Sequence, residues 1–272
     1  MNFAQVGAGM AANSTGMPIP ESDMRVSHMD QAARDHLQRC FVLHRRNFSN
    51  TSLILDIFSV AHGRQAVLAK GARQHRRGRP AGGEILQPFR PLWLSWSGRG
   101  EVKTLIRYEA AGSAAELPGQ VLYCGFYLNE LLVRLLRRGD AHENLFAFYA
   151  TALTALAAGE DVEVVLRHFE LRLLREIGYA VELDREAGSG RPVAPGRYYV
   201  YEQESGLRAA GSGDGRHALS GELLLSLTAG EFLSGPPAKA AKLLTRRLLA
   251  PYLGTRPLKS RKLFRQYRGP SL

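Results

Sequence analysis

The 272-residue chain has little that would commit it to a membrane, a disulfide framework or a cofactor. Cys40 and Cys124 are its two cysteines; they stand far apart, neither belongs to a CxxC, and no histidine pair has ligand spacing. Neither a disulfide scaffold nor a structural zinc is indicated, which suits a reducing cytoplasm. No apolar run approaches the roughly 18 residues of a membrane span, and the longest, around Leu131 to Leu136, is broken by Arg134. There is no GxxxxGK[ST], no GxGxxG at a strand-to-helix junction, no HExxH and no GxSxG, so the usual scaffolds for nucleotide, dinucleotide, zinc and serine-nucleophile chemistry are missing. Glu160-Asp161 and Glu182 with Asp184 are explained by helix capping and solvation. His168 and His217 lack neighbours of ligand type. No catalytic residue, metal or cofactor is expected.

Acid is absent from two stretches, and these carry the charge. His62 to Arg79 holds six Lys/Arg and Lys239 to Arg268 holds ten, with no Asp or Glu in either. Removing those 16 from the 36 bases leaves 20 against 25 acids, so the two segments account for the whole net charge of +11. A cationic surface this concentrated suits a nucleic-acid backbone better than a generally basic surface does. A run of like charge is also commonly a solvated face, and any single arginine here reads that way first.

Residues 1–36 are rich in Gly, Ala, Ser, Pro and Met without periodicity and lack the basic and apolar regions of a secretory signal; a disordered extension is expected, with Met24 or Met29 as plausible alternative starts. From Leu37 the pattern has period two. Five strands are expected: Leu37–His44, Thr51–Val60, Gln65–Ala69, Ile85–Ser97 with prolines 88 and 91 at its start, and Val102–Tyr108. Arg45 to Asn50 is read as a loop. A basic loop runs from Lys70 to Pro80, and Ser97-Gly98-Arg99-Gly100 makes a hairpin. Five short strands with a long loop after the third point to an OB-fold β-barrel over residues 37–117 rather than a sandwich, which more often has about seven strands; the strand count also fits an SH3-like barrel.

At Leu117-Pro118-Gly119 the period becomes helical. Helices are expected over about 120–136, His142–Ala158, from Asp161 to Ile177, a short one from Ser220, Ala238–Tyr252, and a last one after Pro257. Residues 179–217, rich in Gly, Pro and charge, form a small hairpin and loop insertion. The fold class is therefore α+β and multidomain: an N-terminal OB barrel followed by a mostly α-helical domain, 118–272.

An OB barrel stacks bases on aromatics across its sheet face while cations neutralise phosphates. The candidate DNA contacts are Arg45 and Arg46 with Phe48 beside them, Lys70, Arg73, Arg76, Arg77 and Arg79 in the basic loop, and Lys103 and Arg107 on the last strand. The C-terminal segment adds Lys239, Lys242, Arg246, Arg247, Lys259, Arg261, Lys262 and Arg265. Trp93, Trp96 and Phe89 read first as core, because a small barrel needs large interior side chains; which aromatic stacks is open. On the helices, Phe126, Tyr127, Leu131, Phe146, Phe148 and Tyr149, with Arg134, Arg137 and Arg138 close by, offer an apolar groove rimmed by cations. Such a groove would take an acidic peptide ending in an apolar residue and a carboxylate. The competing reading of these aromatics is interhelical core. An RNA-binding OB module and a protein adaptor stand beside the DNA reading.

From Leu37 to Tyr267 the chain resembles the RecO family of bacterial DNA repair proteins. The matching stretches are FVLHRRNFSNTSLILDIFS, VLAKGAR, LQPFRPLWL, GRGEVKTL, LYCGFYLNELL, LRHFELRLLREIGY, AGSG and RRLLAPYLGTRPLKSRKLFRQY. The resemblance implies a cytoplasmic, nucleoid-associated and non-enzymatic recombination mediator. Such a protein binds single- and double-stranded DNA and anneals strands coated with single-strand-binding protein (SSB). It binds the acidic SSB C-terminal tail, for which Phe126, Tyr127, Leu131, Arg134 and Arg138 are the candidates. It works with RecR, and indirectly with RecA. Many members carry a four-cysteine zinc motif; Asp184 and Ala187 stand roughly where its first pair would, so zinc is not expected.

Overall fold

A computed structural model describes residues 37–74, 82–231 and 236–266. The proposed N-terminal extension therefore lies outside the described residues. So do Arg76, Arg77 and Arg79 of the basic loop.

Five strands form a closed barrel: β1 (Gln38–Asn47), β2 (Leu53–Ser59), β3 (Gly63–Ala69), β4 (Pro91–Ser97) and β5 (Val102–Ala110), in the order β1-β2-β3-β5-β4 with β4 returning to β1. The β3–β5 pair is parallel and the others are antiparallel. Alternation explains the interior, which is filled by Cys40, Val42, Leu55, Ile57, Val67, Leu92 and Leu94. Two expectations are corrected. Arg45, Arg46 and Asn47 continue β1, opposite Leu55, Ile54 and Leu53, so the connecting loop starts only at Phe48. The residues before Pro91 are not strand; α1 (Gly82–Ile85) is a single helical turn, and β4 begins at Pro91, whose lack of an N–H is tolerated at a strand end.

The helical region comprises α2 (Val121–Leu135), α3 (Glu143–Ala157), α4 (Val162–Glu176), α5 (Gly221–Ala229), α6 (Pro236–Leu253) and α7 (Lys259–Gln266). A three-stranded sheet is inserted between α4 and α5, ordered β7-β6-β8 from β6 (Tyr198–Glu202), β7 (Gly206–Ala209) and β8 (Leu219–Ser220). Side-chain caps set two of the helix starts. Asp161 accepts from the amides of Glu163 and Val164, and Ser220 from that of Leu223. Asp184 and Ala187 sit in a turn held by main-chain bonds, Val193 N–H to Asp184 O and Ala187 N–H to Leu207 O, each 2.8 Å.

Beside the barrel's own interior, a second apolar core joins the outside of the barrel to the helices. Phe41 and Phe58, on the outer face of β1 and β2, pack on α3, with Phe41 5.3 Å from Phe146 and 5.0 Å from Tyr149, and Phe58 5.4 Å from Phe146. Between Val42 and His44 the β1–β2 register shifts, so Leu43 has no partner across the ladder. Its carbonyl accepts instead from Asn129 Nδ2 of α2 at 2.9 Å, and Tyr149 donates to Asn129 Oδ1 at 2.5 Å. Burial pushes the Tyr149 phenol far up, so it stays a donor.

Gly63 closes the joint on its other side. A Cβ there would stand 1.6 Å from the Asp140 carbonyl oxygen, and its φ of +57° is itself unfavourable for other residues. Arg64 donates to Asp56 Oδ1 through Nε and Nη2, at 3.2 and 2.9 Å, and to the Leu136 carbonyl at the end of α2 at 3.3 Å. Phe89, held at φ +65°, packs 5.1 Å from Phe126 over Gly125, where a Cβ would meet its ring at 2.9 Å.

Both tryptophans, Trp93 and Trp96, lie in the barrel strand β4, whereas far-ultraviolet dichroism reports mainly on the helices. A shared core predicts coincident urea transitions by the two probes, and two separate midpoints would contradict it. Gly63→Ala is expected to lower unfolding stability by about 2–4 kcal/mol in the same titration.

Candidate nucleic-acid and peptide sites

The sheet face expected to stack bases is closed where Phe41 and Phe58 are buried beneath α3. Phe89 is buried as well, and Trp96 is half-buried against the barrel core. Trp93 is partly exposed on the outside of the barrel, with the Arg39 guanidinium 6.0 Å from its ring.

What opens to solvent is the end of the barrel. Extension of β1 carries Arg45, Arg46 and Asn47 onto the rim of a cavity of about 490 Å³, whose other walls are Leu53, Ala72, Arg73, Gly83 and Glu84. Arg45 donates to the Gly83 carbonyl at 2.8 Å and Arg73 to the Ser49 carbonyl at 2.8 Å. These bonds order the rim and hold the loop beside it, from which Phe48 projects 61% exposed. Lys70 is exposed at the start of the basic loop. A cationic concavity with a solvent-facing ring next to it can neutralise phosphates and stack a base. The β5 candidates contribute less. Lys103 lies opposite Val67 near the start of its strand, and Arg107 is bound to Glu109.

On the helices the predicted groove residues are not brought together. Leu131 is completely buried, Phe146 and Tyr149 belong to the joint with the barrel, and Phe126 packs on Phe89. Phe148 is exposed, with the Arg172 guanidinium 4.2 Å from its ring. Arg138 stands 3.7 Å from Asp56. Arg134 spends its fork on structure: it donates to the carbonyls of Leu253 (3.4 Å), Arg256 (2.6 Å) and Pro257 (2.8 Å), and to Glu130 (2.9 Å). Glu130 in turn accepts the amides of Lys259 and Ser260 at the start of α7. Burial would raise the Glu130 carboxyl, but those amides, the Ser260 hydroxyl and Arg134 outweigh it and hold the group below its usual range.

A groove of about 730 Å³ does exist among α2, α4, α6 and α7, and Tyr127 is the predicted residue that lines it. Val121, Cys124, Val162, Leu166 and Phe264 form its apolar part; Lys242, Arg246 and Arg261 are cations of its lining, and Glu163 and Glu170 are its acids. Its floor is Arg167, only 3% exposed, which pairs with Glu170 at 2.7 Å through Nη2 and stands 3.6 Å from Glu163 through Nη1, while Nε and Nη1 make no hydrogen bond. Tyr127 donates to Glu170 at 2.5 Å. Burial pushes the Glu170 carboxyl up, against the pull of Arg167, Thr245, Tyr127 and Arg261; it also raises the Cys124 thiol to about 11. Lys242 is paired with Glu163. Lys239, Arg246, Arg247, Lys259 and Lys262 are exposed around these helices, and the Arg265 side chain lies outside the described residues.

Arg167 and Glu170 were missed by sequence reading, yet a signal for them was present. Glu170 stands four residues after Leu166 and four before Leu174, so α4 carries a charge on its buried stripe, which nature rarely tolerates unpaired. Among the described residues no group of three or more His, Cys, Asp or Glu is arranged to hold a metal, and no helix is long and apolar enough to cross a membrane.

Comparison with known proteins adds to this geometry. Residues 33–114 match the family described as Recombination protein O N terminal, and residues 119–262 match Recombination protein O C terminal. The DNA repair protein RecO of Aromatoleum aromaticum is 47% identical over 239 residues, covering 88% of this chain and 98% of the relative. That of Methylococcus capsulatus is 48% identical over 229 residues, 84% and 93% of the two chains; that of Proteus mirabilis is 48% identical over 231, 85% and 92%. With both halves of the family matched in order, and by relatives that span nearly their full length, the chain belongs to the RecO family.

Proposed function

We propose that this protein is a DNA-binding recombination mediator that acts by binding rather than by catalysis. It would anneal complementary single strands coated with SSB and, with RecR, help RecA onto such strands in recombinational repair. The observation that carries the reading is the cationic rim of Arg45, Arg46 and Arg73, with exposed Phe48 beside it, on an OB-type barrel. Family membership supports it, since the relatives are named DNA repair proteins. A second cationic surface on α6 and α7, without acid in either helix, supplies what annealing needs physically: two strands repel, and separate cationic surfaces lower that repulsion.

The groove over Arg167 is the place we propose for the SSB tail. The buried Arg167 guanidinium beneath it lends positive charge, its apolar wall suits a terminal apolar side chain, and Arg246 and Arg261, with Lys242 if it leaves Glu163, suit the carboxylates of the tail. This reassigns the tail from the residues around Leu131 and Arg134. An adaptor role, with DNA secondary, is the reading this groove would favour by itself.

Reversal of Arg46 and Lys70 together, R46E with K70E, is expected to weaken single-strand binding. It should flatten the salt dependence by roughly 1.4 in log–log slope, at about 0.7 per lost phosphate contact. Annealing of SSB-coated oligonucleotides, measured without ATP or metal, should fall further than binding does. Equal losses in every variant would sink the two-surface idea. For the groove, Lys242→Ala with Arg261→Ala is expected to weaken an acidic tail peptide roughly tenfold, about 1.4 kcal/mol, in a fluorescence-anisotropy titration. Unchanged peptide affinity would place the tail elsewhere. Tight peptide binding with no annealing by the unaltered protein would favour the adaptor.

A further inference from the structure

Where α4 and α6 end, two tyrosines from different elements stack on each other and face solvent. Tyr179 follows the turn that closes α4: Gly178 adopts φ +86° and the Tyr179 amide bonds back to the Leu174 carbonyl at 2.8 Å. Tyr252 is the penultimate residue of α6, whose end is fixed by Arg134 on the carbonyls of Leu253, Arg256 and Pro257. The ring centroids are 3.9 Å apart with planes 25° from parallel, and the residues remain 45% and 38% exposed. Each ring covers one face of the other, and neither is taken into the core.

Exposed arginines stand near the pair along the chain: Arg175 four residues before Tyr179, Arg247 on α6, and Arg256 four residues after Tyr252 beyond the helix end; Glu182, three residues after Tyr179, is the exposed acid beside them. The Tyr201 phenol of β6 is pushed up chiefly by burial and further by Tyr252, with Arg247 pulling it down, so all three side chains neighbour one another. A stacked, immobilised and half-exposed pair of rings is a ready surface for a further planar ring, and guanidinium groups around it suit the phosphates on either side. Bases within a duplex already cover each other's faces; an unpaired strand offers its own.

We propose that Tyr179 and Tyr252 form a base-stacking platform for single-stranded nucleic acid, flanked by Arg175 and Arg247 as phosphate contacts and carried by elements other than those of the barrel rim. This rests on the nucleic-acid reading above and names a place on the helical region where the second strand is held by its bases.

The test uses the full-length protein and an oligothymidine carrying 5-iododeoxyuridine, photocrosslinked and mapped by mass spectrometry. Adducts are expected on Tyr179 or Tyr252. The double variant Y179L with Y252L should lose them and anneal complementary strands about tenfold more slowly, the scale of one lost base stack. Y179F with Y252F, which keeps both rings, should anneal at the unaltered rate. Adducts confined to the barrel, or a leucine variant that melts at the unaltered temperature and anneals at the unaltered rate, would overturn the platform while leaving the mediator reading intact. An unaltered protein that binds no single strand would overturn both.

Discussion

A strand irregularity holds the two halves of the molecule in one arrangement. The bulge in β1 frees the Leu43 carbonyl from its ladder, and Asn129, itself held by Tyr149, takes it up inside the shared core. Left unpaired there, that carbonyl would cost about 1–3 kcal/mol. The packing of Phe41 and Phe58 on α3 supplies the apolar area, but such contacts are non-directional. The Leu43–Asn129–Tyr149 chain is directional, so it selects one docking orientation among those that would bury similar area.

That docking decides where ligands can go. By covering the aromatic part of the sheet with α3, the fold removes the usual stacking face of an OB barrel and leaves the open barrel end. Arg45 and Arg46 reach that end because β1 runs on past the bulge. On the helical side, Arg134 and Glu130 are spent on joining α2 to α6 and α7, which in turn brings Lys242 and Arg261 over the groove whose floor is Arg167.

Much of this was legible in the sequence, and the misses have physical causes. Alternation located all five barrel strands, and Asp161, Ser220 and Gly178 marked helix ends, because these are local preferences. Arg45 to Asn47 read as loop because three polar residues in a row look unpaired, when their register is dictated by Leu53 to Leu55 on the neighbouring strand. The residues before Pro91 read as strand because apolar Ile85, Leu86 and Phe89 run into the alternation that begins at Leu92, with Pro88 and Pro91 compatible with a bulged edge; Phe89 instead folds over Gly125. Leu131 and Arg134 were assigned to a groove because helical periodicity tells which residues share a face, never which face another element covers. The stacked tyrosines, 73 positions apart in the chain, left no local trace.

The closeness of the joint at Gly63 has a further consequence. The Asp140 carbonyl lies against a residue that has no side chain, so barrel and helices meet there in direct backbone contact. The proposed two-surface binding would then act across a set interval, as a ruler toward a flexible polyanion. On that proposal, a strand too short to bridge the interval would engage one surface alone. One just long enough would gain the second as an intramolecular event, at high effective concentration. Further length would add only slack, so avidity would rise as a step rather than in proportion to the number of nucleotides.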